Sequence, residues 1–107
     1  MASRLELQEK LEELLGSKSV YYQPPESVKM EYPAIRYSKS RIDVKRADNS
    51  IYSKNIRYEL IVIDRKPDNP VIDKLLELPY CSYDRGYKAD NLNHAVLTIY
   101  WKGGNKL

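Results

Sequence analysis

The residues able to do chemistry are few, and their spacing limits what they can do. His94 is the sole histidine and Cys81 the sole cysteine. A thiol and an imidazole could form a nucleophile–base pair, and a hairpin between them could bring the two near each other. No loop-borne nucleophile or oxyanion-stabilising motif accompanies them. A half-buried thiol and a hydrogen-bonded strand histidine account for both residues without catalysis. One histidine and one cysteine also fall short of a zinc set. The four glycines, at positions 16, 86, 103 and 104, form no phosphate-cradling loop. Asp64 and Asp68 stand four apart but lack the oxygen density of a calcium loop. Asp43, Asp48 and Asp90 fall where turns and strand ends ordinarily take Asp. Two stretches could suggest nucleic acid: Lys45-Arg46 with nearby Tyr52, and Tyr83-Asp84-Arg85-Gly86-Tyr87. The second has the look of an aromatic stacking platform. Asp84 interrupts its positive field, no basic stripe runs along the chain, and the element order differs from an RNA-recognition sheet.

These residues depend on the elements that carry them. The organising stretch is Asn55–Asp64, N-I-R-Y-E-L-I-V-I-D. Ile56, Tyr58, Leu60 and Val62 alternate with Arg57, Glu59, Ile61 and Ile63. Polar residues come first, then both faces turn apolar, as in a strand buried on both sides at one end. It is expected to be the central strand of one sheet.

Ahead of it, Ser3 and Glu6 make a capping box. Leu7, Leu11, Leu14 and Leu15 share a helical face, with Leu5 near its edge, and Gly16 suits a left-handed cap. The helix therefore spans about Arg4–Leu15. Ser19–Gln23 reads as a short strand stopped by Pro24-Pro25. Ala34–Asp43 is a second strand, with Ile35, Tyr37 and Ile42 as its apolar points. Lys45–Ser50 is a polar break, and Asp48 and Asn49 are turn formers. Ala34–Asp64 thus reads as a long β-hairpin with its tip near Val44–Lys54. Asn69 is a suitable N-cap and Pro70 a suitable first residue for a second helix ending by Leu78 before Pro79. Tyr80–Lys88 is a strand with Cys81, Tyr83 and Arg85 on one side. After a turn at Ala89-Asp90-Asn91, the last strand, Asn93–Lys102, puts Ala95, Leu97, Ile99 and Trp101 on the core face. Gly103–Leu107 is a frayed tail. The fold class is α+β: a single mixed, mostly antiparallel sheet with two helices on one face, in the order α-β-β-β-α-β-β.

The 107 residues suit one domain spanning 1–107. Charged residues are 31% and apolar residues 42%, a balance typical of a folded, soluble chain. Net charge is +3 with the signs interspersed, unlike a dedicated nucleic-acid binder. Ten tyrosines and no phenylalanine supply rings with a polar tip, suited to half-buried positions and to protein interfaces. No apolar run reaches the ~18 residues of a membrane span, and the N-terminus has no signal-peptide pattern. The single cysteine fits assembly in a reducing cytoplasm.

Three segments carry a resemblance: Val20–Ile35, V-Y-Y-Q-P-P-E-S-V-K-M-E-Y-P-A-I; Ile61–Asp68, I-V-I-D-R-K-P-D; and Tyr87–Val96, Y-K-A-D-N-L-N-H-A-V. Together they make the chain resemble the small head–tail junction proteins of tailed bacteriophages and prophages of Gram-positive hosts, the tail terminator and tail-completion or head–tail joining proteins. The element order also looks like that of the tail terminators. The resemblance implies a virion structural protein, not an enzyme, without cofactor or metal. It would form a ring, generally hexameric, on the last ring of tail-tube subunits, end tube polymerisation and meet the head connector. DNA would pass through the lumen without specific binding, and no membrane would be involved. The hairpin arm, with Arg41, Lys45, Arg46, Ile51, Tyr52 and Lys54, is the candidate subunit contact. A head-side adaptor or stopper of the neck is the alternative within the same class, and a small nucleic-acid-binding module the alternative outside it.

Overall fold

The fold is built on a helix that the sequence delimits closely. Helix α1 spans Arg4–Leu15. Leu7 and Leu11, one turn apart, are fully buried, and Leu14 and Leu15 pack partly against the same core. Leu5 instead is 61% exposed. It stands two residues before Leu7, about 200° around the helix, so it cannot share that stripe. Gly16 closes the helix at φ +81, and its N–H donates to the Glu12 carbonyl at 2.9 Å. The computed structural model describes residues 4–47 and 50–101, with the backbone alone for the part of 45–54 inside those ranges. Ser3 of the expected capping box, the turn formers Asp48 and Asn49, Lys102 and the Gly103–Leu107 tail lie outside the described residues.

Five strands form one sheet: β1 (Val20–Tyr22), β2 (Ala34–Ala47), β3 (Ser50–Asp64), β4 (Cys81–Ala89) and β5 (Leu92–Trp101). Their spatial order is β1-β2-β3-β5-β4, so β3 is central. β1 runs parallel to β2, and every other pair is antiparallel. The β4–β5 turn has Asp90 and Asn91 at φ 53 and 61. Two successive left-handed residues make the tight turn that matches strand twist, and Asp and Asn tolerate that conformation best after Gly. Helix α2 (Val71–Leu76) carries the chain from β3 to β4 across the intervening β5.

Cross-strand register builds the core. Ile35 pairs with Val62 and Tyr37 with Leu60, while Leu60, Val62 and Tyr58 pair with Leu97, Ala95 and Ile99. All face Leu7 and Leu11 of α1 and Val71 and Leu75 of α2 in one buried cluster. The two helices therefore cover one face. On the other face Ala34, Ile63 and Val96 are also buried, as the doubly apolar end of β3 requires. Tyr22, Tyr37 and Tyr58 form a ring cluster with centroids 4.9 to 6.5 Å apart. The Arg4 guanidinium lies 4.4 Å from the Tyr22 ring centre and donates to the Tyr37 hydroxyl at 3.2 Å.

The hairpin departs from expectation at its tip. β2 does not end at Asp43, and Lys45–Ala47 and Ser50 belong to the ladder rather than to a break. The ladder continues through Lys45↔Ser53, Arg46↔Ile51 and Ala47↔Ser50. Backbone pairing needs no apolar side chains, so polarity alone does not end a hairpin. Ile42, expected among the apolar points of β2, is 47% exposed, because it lies past the last residue the helices cover.

Candidate functional site

Cys81 pairs with Ile99 and His94 with Tyr87. Ile99 and His94 are five residues apart on β5, so the thiol and imidazole are separated by about 17 Å at the usual strand rise. The hairpin does not bring them together, because each sits near a different end of it. His94 stacks on Tyr87 with ring centres 4.6 Å apart and planes 8° from parallel, and its Nδ1 lies 3.1 Å from the Leu92 carbonyl oxygen. Burial pushes the Cys81 thiol up from 9.0 to about 11, the opposite of an activated nucleophile.

That shift has a measurable sign. Folded Cys81 keeps its proton to higher pH than the unfolded chain does. The stability it contributes is complete below pH 9.0 and is lost as pH rises through about 11. Tyr37 and Tyr58 act in the same sense, raised from 10.0 chiefly by burial. Alkylation of Cys81 is expected to be slow at neutral pH and to accelerate up to about pH 11, with the urea midpoint falling over the same window. A thiol titrating at or below 9.0 would contradict this.

Asp64 and Asp68 do not form a cation site. The Asp64 carboxylate accepts the Lys66 N–H at 3.2 Å and the Asn69 side-chain amide at 2.7 Å. Asn69 Oδ1 in turn accepts the Val71 N–H at 2.8 Å. Asn69 is thus the functional cap of α2, and Asp64 holds the cap in place. Among the described residues no three His, Cys, Asp or Glu side chains converge as metal ligands, and no helix is long and apolar enough to cross a membrane.

The aromatic platform dissolves for a geometric reason. Tyr83 pairs with Leu97 on the helix face, whereas Tyr87 pairs with His94 on the other. A bulge between Tyr83 and Arg85 inserts one residue and reverses the alternation. Arg85 therefore pairs with Val96, on the face opposite Cys81 and Tyr83, contrary to the regular alternation expected. It also pairs with Asp84 at 2.7 Å rather than standing as a free cation.

Two features remain for interaction. The first is the arm. β5 pairs with β3 only over Ile56–Asp64, and β1 pairs with β2 only over Ile35–Tyr37. Beyond Ile56, β2 and β3 continue as a ribbon with no third strand among the described residues. From Asp43, opposite Asn55, to Ala47 this projects about 13 Å. Ile42 and Val44 pair with Ile56 and Lys54, so they share one ribbon face, and they are 47% and 39% exposed. Arg41 pairs with Asp43 at 2.7 Å on the surface. Lys45, Arg46, Ile51, Tyr52 and Lys54 have their backbones in the ribbon, while their side chains lie outside the described residues.

The second feature is a depression of about 320 Å³ at the opposite end of β3. Val62, Ala95, Ile72 and Tyr83 line it together with the polar Asp64, Lys66, Asp68, Asn69, Asn93 and His94. Gly86 pairs with Ala95, and the Tyr83 hydroxyl lies 2.6 Å from where a Cβ on Gly86 would stand. No sequence signal marked this place, since it depends on the bulge and on a helix only 6 residues long.

No protein-family model and no curated protein sequence matches the chain.

Proposed function

We propose that this chain is a virion structural protein that assembles as a ring, generally of six copies, at the head-proximal end of a bacteriophage tail. There it ends tail-tube polymerisation and joins the tail to the head connector. Its partners are neighbouring copies, the last tube ring and the connector, with DNA passing through the lumen unread. It is assembled in the host cytoplasm and catalyses no reaction.

The support is the resemblance of Val20–Ile35, Ile61–Asp68 and Tyr87–Val96 to the tail terminators, together with the shared element order. The observation that carries the reading is the arm. A two-stranded ribbon is marginal in water by itself. This one carries Val44, with Ile42 at its base, two exposed β-branched residues on one face. Such an element is stabilised when a second surface covers it, and in a closed ring every copy offers the same surface to its neighbour.

The test uses a phage or prophage that encodes the chain. Removing the gene is expected to give tubes of uncontrolled length, with heads left unjoined, and an antibody to the protein should label the neck of intact particles. Joined virions of normal length without the protein would overturn the proposal.

A further inference from the structure

We infer that the Ile42–Val44 face of one copy seats in the Val62–Ala95–Ile72–Tyr83 depression of the next. The inference rests on the ring reading above and names the surface that receives the arm.

Three observations favour a second copy as the occupant. First, the two features lie at opposite ends of β3, a strand of 15 residues and hence about 50 Å long. The arm starts where β3 begins, and the depression sits where β3 ends at Asp64. One chain cannot fold its arm back that far along a continuous strand. A head-to-tail contact can join the two ends between copies, and such a contact is heterologous, closing into a ring when the rotation allows. Second, the shapes are reciprocal. A pair of exposed aliphatic side chains projects from the ribbon, and a hollow of about 320 Å³, with Val62, Ile72, Tyr83 and Ala95 among its mixed apolar and polar lining, has room for them.

Third, the charges are complementary. Residues 41–54 contain Arg41, Lys45, Arg46 and Lys54 against Asp43 and Asp48, a net of +2. The depression has Asp64 and Asp68 against Lys66, a net of −1. Arg65 does not line the depression; its guanidinium turns to the Tyr32 ring, 5.9 Å from the ring centre. Opposite fields steer the encounter, and the apolar contact holds it.

The test places one cysteine on each surface of the full-length chain in a Cys81→Ala background. Val44→Cys and Lys66→Cys are combined, and the protein is treated at millimolar concentration with a short bifunctional maleimide. The double variant is expected to give a covalent ladder on a denaturing gel, whereas each single variant gives at most a dimer. Adding Ile42→Asp, on the same arm face, to the double variant should abolish the ladder, while its circular dichroism stays that of the parent. Asp68→Asn should lower ladder yield severalfold in dilute salt and leave it unchanged in concentrated salt, where exposed charges are screened. A ring seen by native mass spectrometry without the ladder would overturn this contact and leave the ring reading standing. Absence of both ladder and oligomer would overturn it as well, because the contact would lack affinity. A ladder from a protein that is then located away from the phage neck would keep the contact and remove the tail-capping role.

Discussion

Leu60→Ala is expected to lower stability by roughly 3–5 kcal/mol, with the urea midpoint falling in proportion. Leu60 is fully buried on the central strand, between Tyr37 on β2 and Leu97 on β5. The lost methyl groups forfeit their transfer free energy, and the hollow adds a further cost. Collapse is hindered because neighbours on both sides are held by ladder bonds, and both helices press on the same face. For a domain of this size the melting temperature should drop by about 15–30 °C. Leu5→Ala is the control. Leu5 is 61% exposed, so its removal should change stability by no more than about 0.5 kcal/mol. Equal costs at the two leucines would mean that the sheet core is not where the register places it.

That contrast also shows how far a sequence reading reaches. β3 was legible because alternation and composition agreed over a long stretch: Leu60, Val62 and Ile63 are buried on opposing faces, as the pattern required. The core face of β5, with Ala95, Leu97, Ile99 and Trp101, was legible for the same reason. The cap at Asn69 followed from its position before Pro70. What escaped was whatever depends on a single inserted residue or on a distant partner. The bulge after Tyr83 reverses the side on which Arg85 and Tyr87 emerge, and strict counting by two cannot foresee it. The extension of β2 through Lys45–Ala47 rests on backbone bonds, to which side-chain polarity is nearly silent. Among the candidate contact residues, Arg41 pairs with Arg57 at the base of the ribbon, where β5 still flanks β3. The exposed pair Ile42 and Val44 was not singled out there, because an aliphatic residue in a strand reads as core until the third strand is known to stop short. The depression is the product of three remote segments and had no local signature.

Gln8 illustrates the same limit and gives a second large effect. Its position beside Leu7 marks it only as a polar residue at the edge of the helix stripe. In the structure its side chain spans helix and sheet. Nε2 donates to the Val20 carbonyl at 2.9 Å and lies 3.0 Å from Glu12 Oε2, while Oε1 accepts the Tyr37 hydroxyl at 2.5 Å. Tyr37 is 1% exposed, so its hydroxyl has little access to water. Gln8→Ala is therefore expected to cost about 1–3 kcal/mol, since it leaves a strand carbonyl and a buried hydroxyl with fewer partners. Tyr37→Phe should cost less, about 1 kcal/mol, because it removes the hydroxyl along with its needs. Combined, the two changes should cost less than their sum by roughly 0.5 kcal/mol or more, the signature of a shared network. Arg4 supplies a built-in check. It donates to the same hydroxyl at 3.2 Å, so Arg4→Met should increase the penalty of Gln8→Ala when Tyr37 is present and have little effect on it when Phe replaces Tyr37. Strict additivity across all three sites, measured by urea unfolding at neutral pH, would show that α1 is docked by its leucines alone. A coupled result would assign Gln8 the role of fixing the rotation of α1 on the sheet. Leu7 and Leu11 provide burial but could be satisfied by more than one helix orientation, whereas a side chain bonded to both Val20 and Tyr37 permits one.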